Sequence, residues 1–210
     1  MQNIDYSVYL VTDRHCLRGR DFYAAVEEAL QAGVTLVQLR EKTMTPEELL
    51  LEGQKMLALC RRYGVPLLID DQIEVAKALG CAGVHLGQED DVITKAQRLL
   101  GPEAVIGISA HNLEEAIAAE KAGATYLGVG AMYPTGSKKD AKLLPQGMLH
   151  KITETVHIPV VGIGGIHEAQ YQEVLAQGAS GCAMISGILG ADDITATVHR
   201  LKKVATACKK

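Results

Sequence analysis

Eight short runs rich in Val, Leu and Ile alternate along this 210-residue chain with longer segments of helical period. The runs cover residues 8–12, 36–40, 66–69, 83–86, 105–109, 126–130, 159–162 and 181–185. Several are apolar at nearly every position, the mark of strands covered on both faces and so of a parallel sheet packed under helices. Eight strand–helix alternations close into a (β/α)8 TIM barrel of the α/β class, and residues 1–210 are expected to form that single domain.

Local signals agree with this alternation. The segment 46–63 opens with Thr45, Pro46, Glu47 and Glu48: a capping residue, a proline at the first helical position and acids in the first turn. Asn112 precedes a helical segment over 113–122 that carries Glu114 and Glu115 at its start. Gly33, Gly80, Gly123 and Gly178 each end a helical segment and lead into a strand, at intervals of 47, 43 and 55 residues. Glycine suits the left-handed conformation that ends a helix, and the intervals place one before every second strand. The longest interval holds the loop over 131–147.

Composition narrows the function. A net charge of −4 argues against a nucleic-acid or anionic-membrane partner. No apolar run approaches the roughly 20 residues that span a bilayer, and the first residues lack a signal core. Cys16, Cys60, Cys81, Cys182 and Cys208 are scattered without a C-x-x-C pair, so neither a disulfide framework nor a zinc site is expected. The expected location is the cytoplasm. The partners are expected to be small molecules, with a homo-oligomer as one allowed assembly.

The strands run into polar tips. Gln38, Arg40 and Lys42 stand two residues apart and share one side of an extended strand, with Leu39 and Glu41 between them. A forked guanidinium, a point-charge ammonium and an amide together suit a mono- or diphosphate. A solvated strand end would look the same in isolation. Asp70 and Asp71 follow one strand, and Glu89, Asp90 and Asp91 follow the next; carboxylates from neighbouring strands can share a magnesium ion. Helix capping is the competing explanation and the preferred one for Asp91.

Tyr133, Pro134, Thr135, Gly136, Ser137, Lys138, Lys139 and Asp140 lie in the longest loop, with hydroxyls, charge and a glycine suited to closing over a substrate. Gly164 and Gly165 after the seventh strand, and Ile185 and Ser186 after the eighth, occupy the places where barrels of this kind hold a phosphate on backbone amides. Ser109 and His111 end the fifth strand: Ser109 fits a hydrogen-bonding role and His111 an acid–base role. His85, within its strand, is read as a satisfied core residue.

Taken in order, the segments QLREK (38–42), HLGQED (85–90), Pro134-Thr135 with Ser137 to Asp140, GIGGI (162–166) and Ile185-Ser186 closely resemble the thiamin-phosphate synthase family, from Tyr9 almost to the end of the chain. The resemblance implies joining a pyrimidinylmethyl diphosphate to a thiazole phosphate with loss of pyrophosphate. It implies that Gln38, Leu39, Arg40, Glu41 and Lys42 hold the diphosphate substrate with Asp70 beside them, and that Lys138 meets its leaving group. It further implies Asp71 and Asp90 on Mg2+, Ser109 on the pyrimidine, and Thr135, Gly136, Ser137, Gly165, Ile185 and Ser186 on the thiazole phosphate.

Two positions depart from the family pattern. Asp70-Asp71-Gln72 stands where Asn-Asp-Arg is usual, which adds a negative charge beside the diphosphate. Ser137 replaces a usual Thr and keeps the hydroxyl. The rival expectations are a thiazole tautomerase on the same barrel, for which His111 would serve as acid–base group, and a non-catalytic sensor of a phosphorylated ligand.

Overall fold

The computed structural model describes residues 4–88, 91–136 and 142–208. Eight parallel strands, β1 (Val8–Val11), β2 (Leu36–Leu39), β3 (Leu67–Asp70), β4 (Gly83–Leu86), β5 (Val105–Ala110), β6 (Tyr126–Val129), β7 (Val160–Ile163) and β8 (Gly181–Met184), pair in sequence order and close on one another. The helices α1 (Phe22–Ala32), α2 (Pro46–Arg62), α3 (Ile73–Leu79), α4 (Val92–Leu100), α5 (Leu113–Ala122), α6 (Met148–Thr155) and α7 (Glu168–Ala176) connect successive strands. After β8 come the short α8 (Ser186–Leu189) and the long α9 (Ile194–Cys208), which packs on α1 and α7. The expected barrel is therefore formed. No helix among the described residues is long and apolar enough to cross a membrane.

The helix signals act as their chemistry requires. Thr45 accepts a hydrogen bond from the Glu48 amide while the Glu48 carboxylate accepts from the Thr45 amide, a reciprocal cap with Pro46 at the first helical position. Asn112 caps α5 through the Glu115 amide. The four spaced glycines all take positive φ, between 58° and 108°, and lead into β2, β4, β6 and β8. Asp91 departs from expectation. It sits at the N-cap position of α4 but in a left-handed conformation (φ 57°), and its side chain makes no cap bond.

Two apolar layers share the strands. Residues such as Val8, Leu10, Val37, Leu39, Ile69 and Val84 face the helices in a large outer core. Tyr6, Tyr9, Leu36, Leu68, Val105, Tyr126 and Val161 fill the barrel itself. An eight-stranded barrel has room only for side chains that interdigitate, and here the Tyr126 and His85 rings are each matched by a glycine. A Cβ at Gly107 would overlap the Tyr126 ring, and one at Gly128 would come within 2.8 Å of the His85 ring.

Strand ends differ from expectation by one residue or so, in a way that shapes the mouth. β2 stops at Leu39, so Arg40 and Lys42 stand in the following loop. β3 continues to Asp70, which pairs in register with His85 of β4.

Candidate active site

A cavity of about 320 Å³ opens at the C-terminal ends of the strands, and all eight strands or their following loops contribute to its wall. Barrel topology forces this convergence, because every parallel strand delivers its last residues to the same face.

On the β2–β3 side the wall is charged. Gln38, Arg40 and Lys42 all reach the cavity, as their alternation requires. Lys42 Nζ lies 2.6 Å from Asp70 Oδ2 and 2.7 Å from Asp71 Oδ2. Arg40 extends to Asp70 (3.9 Å) and to Asp13 (3.4 Å), while its backbone amide donates to Thr12 Oγ1. Burial works against the Lys42 charge, but its bonds to Asp70 and Asp71 hold the ammonium above its ordinary range. Burial, and then the neighbouring Asp71, push the Asp70 carboxyl up, with Lys42 and Arg40 opposing. Asp71 is held at φ 58°, a left-handed conformation that for a non-glycine residue stores strain. Two carboxylate oxygens thus converge on one cation, a donor arrangement that a hard divalent ion also favours.

The middle of the wall is polar. His85 Nε2 lies 3.1 Å from Ser109 Oγ, and Gln88 donates to the Ser109 carbonyl. His111 also reaches the cavity, and Glu115 accepts from both its amide (2.7 Å) and its Nδ1 (3.0 Å). Burial alone would raise the Glu115 carboxyl, but these His111 contacts pull it below its usual range.

The β6–β8 side lies across the barrel from the charged wall and is built from backbone. Gly164 and Gly165 (φ 96° and 65°) turn β7 toward α7 against the segment 131–134. A side chain at Gly165 would strike the Tyr133 and Pro134 carbonyls, at 2.7 and 2.5 Å, so only glycine brings its amide this close. Ile185 and Ser186 follow β8 and open α8, and Thr135 completes this end of the wall.

Of the residues singled out from sequence, Gln38, Arg40, Lys42, Asp70, Asp71, Ser109, Thr135, Gly165, Ile185 and Ser186 line one cavity. Three others stand apart. Leu39 is fully buried in the outer core, Glu41 holds the Arg14 guanidinium at 2.7 Å, and Gly136 is exposed on its loop. Asp90, Ser137 and Lys138 lie outside the described residues. His85 was read from sequence as core. It is buried and hydrogen-bonded, yet it also lines the cavity. Asp13, the partner of Arg40, carried no signal beyond an acid placed just after β1.

A family model described as thiamine monophosphate synthase matches residues 8–188. The thiamine-phosphate synthase of Clostridium acetobutylicum is 49% identical over 194 residues, covering 92% of each chain. That of Clostridium novyi is 45% identical over 204 residues, covering 96% of this chain and 100% of its own. Among solved structures, the thiamine phosphate pyrophosphorylase from Pyrococcus furiosus is similar at a TM-score of 0.88 and 38% identity, covering 98% of each chain.

Proposed function

This chain belongs to the thiamine monophosphate synthase family, and from that premise we propose a division of its barrel mouth between two phosphorylated substrates. It is a transferase of thiamine biosynthesis, a thiamine-phosphate synthase. It joins 4-amino-2-methyl-5-pyrimidinylmethyl diphosphate to 4-methyl-5-(2-phosphoethyl)thiazole, giving thiamin phosphate and pyrophosphate. The relatives named above are synthases, so neither the tautomerase nor the sensor is favoured.

In the proposed division, the diphosphate lies on the β2–β3 side. Gln38, Arg40 and Lys42 bind it, and Asp71 with Asp90 would hold Mg2+, which when bound neutralises the charge of the departing pyrophosphate. Lys138 belongs to the same set. Ser109 meets the pyrimidine ring. The thiazole phosphate lies across the mouth, on Thr135, Gly136, Ser137, Gly165, Ile185 and Ser186, with Gly136 allowing close approach of the backbone. The bond from the methylene carbon to the diphosphate oxygen breaks, and the thiazole nitrogen supplies the electron pair of the new C–N bond.

That nitrogen is already a nucleophile, so no protein base is required. The protein's contribution is charge neutralisation, positioning and exclusion of water. Asp70 fits this scheme because Lys42 can release it and turn to the arriving phosphate oxygens. The 210 residues act as one barrel domain, and the cytoplasm is the proposed place of work.

The observation that carries this proposal is the meeting of Arg40, Lys42, Asp70 and Asp71 on one wall of a cavity whose far wall holds Gly165, Ile185 and Ser186. The test is thiamin phosphate formation by the purified protein from the two substrates, with and without Mg2+. Magnesium-dependent product is expected. Product formation indifferent to chelation would remove the metal from the scheme, and no product at all would refute it.

A further inference from the structure

A run of four hydrogen bonds crosses the barrel beneath the cavity floor. Gln38 Nε2 donates to Tyr9 Oη at 2.5 Å, and Tyr9 Oη lies 2.9 Å from Tyr126 Oη. Tyr126 Oη lies 2.7 Å from His85 Nδ1, and His85 Nε2 lies 3.1 Å from Ser109 Oγ. Gln38, His85 and Ser109 line the cavity, whereas Tyr9 and Tyr126 are sealed below it, 1% and 0% exposed. β1 and β6 are not neighbours in the barrel, so the link between the two phenols passes through the interior and not along the sheet.

Counting protons gives the run a direction. Burial pushes both phenols far above their usual range, so each keeps its one proton. Gln38 fills the first bond with an amide hydrogen. Tyr9, already accepting from Gln38, directs its own proton to Tyr126, and Tyr126 directs its proton to His85 Nδ1. An imidazole that accepts at Nδ1 carries its proton on Nε2 and donates it to Ser109. The Ser109 hydroxyl therefore accepts within the run and has its own hydrogen to offer the cavity. With a neutral imidazole, reversal of the whole run would leave Ser109 donating to His85 Nε2 and offering the cavity only its lone pairs, so the two phenols decide what the mouth presents.

We propose that Tyr9 and Tyr126 are positioning residues that fix the direction of this run, making Ser109 a hydrogen-bond donor to an acceptor atom on the substrate's aromatic ring. The inference rests on the placement of the pyrimidine against Ser109 given above. It selects a heteroaromatic ring with a lone pair at that point over one presenting an N–H there, because two donors facing each other leave a desolvated polar pair unmatched.

The first test needs no substrate. In the ligand-free protein labelled with 15N-histidine, with His85 assigned by the signal lost in His85→Gln, the imidazole should carry its proton on Nε2 and none on Nδ1. The Tyr126→Phe variant, which keeps the ring, should abolish that single-tautomer signature. A wild-type proton on Nδ1 overturns the proposal. The second test is kinetic. Tyr9→Phe and Tyr126→Phe should each raise KM for the pyrimidine diphosphate about tenfold, the worth of one hydrogen bond, and leave KM for the thiazole phosphate unchanged. Equal changes in both constants, or in neither, overturn it too. A wild type that binds the pyrimidine nowhere near Ser109 would refute the placement on its own, while the His85 tautomer would still decide the direction of the run.

Discussion

Gly107 is a residue whose replacement should damage the barrel interior beneath the cavity. It lies on β5 in register with His85 on one side and Tyr126 on the other. An alanine Cβ there would fall closer than 3.0 Å to three atoms of the Tyr126 ring and hydroxyl. The ring cannot step aside freely, since Tyr6, His85 and Tyr9 stand around it at centroid distances of 4.8, 5.5 and 6.1 Å. Overpacking a filled core destabilises by about 1–3 kcal/mol. Moving the Tyr126 hydroxyl also breaks its buried bonds to Tyr9 and His85, at about 1–3 kcal/mol for each polar group left unmatched. The roughly 0.5 kcal/mol that alanine gains over glycine in chain entropy does not offset this.

Gly107→Ala should therefore cost about 3–8 kcal/mol, a large share of the roughly 5–15 kcal/mol that holds a domain together. Urea unfolding reads this as a fall in midpoint at constant slope. In a Tyr126→Ala background, where the space is already open, the same substitution should cost under about 1 kcal/mol. A loss below about 1 kcal/mol in the wild-type background, or equal losses in both, would refute the steric reasoning.

Other expectations follow from the mouth and the helices. Arg40→Ala and Asp71→Ala should each lower turnover at least about a hundredfold while the melting temperature stays close to wild type; a folded variant with near-normal rate would remove that residue from the diphosphate site. Asp70→Asn should stabilise the fold in a pH-dependent way. Because the folded Asp70 carboxyl is raised, by burial and then by Asp71, its charged form is penalised in the native state. The gain should be absent below the ordinary Asp range near ~4 and grow as pH rises through it, read as melting temperature against pH; a gain that shrinks toward neutrality would contradict the sign. Thr45→Ala should cost about 1 kcal/mol through loss of the α2 cap and leave both KM values unchanged, which denaturation and steady-state kinetics check together.

The barrel was legible because each of its signals is local. Apolar runs mark the strands, and Gly33, Gly80, Gly123 and Gly178 punctuate every second unit with the positive φ that glycine supplies. Part of the mouth was legible for the same reason: the period of two along Gln38, Arg40 and Lys42 selects one side even after β2 has ended. That period also explains Leu39 and Glu41, which belong to the same contiguous segment but face the helices and Arg14. His85 was harder to read. One polar residue inside an apolar strand looks like core, and its place in the cavity depends on register with Asp70 and Gly107, from two other strands. Strand pairing of that kind is written nowhere in the local sequence.

The same non-local logic joins the core to the site. Large side chains must fill the barrel, and Tyr9 and Tyr126 do so, the latter against Gly107. A buried phenol needs a partner for its hydroxyl, and among the described residues no buried side-chain polar atom lacks one. The partners available at that depth are the feet of the cavity wall, Gln38 and His85. Phenylalanines would fill nearly the same space and leave Gln38 and His85 to find other bonds. With tyrosines, the atoms that complete the packing also hold two wall residues in one orientation, so a change in the barrel's interior that looks purely structural should reach the substrate through Ser109.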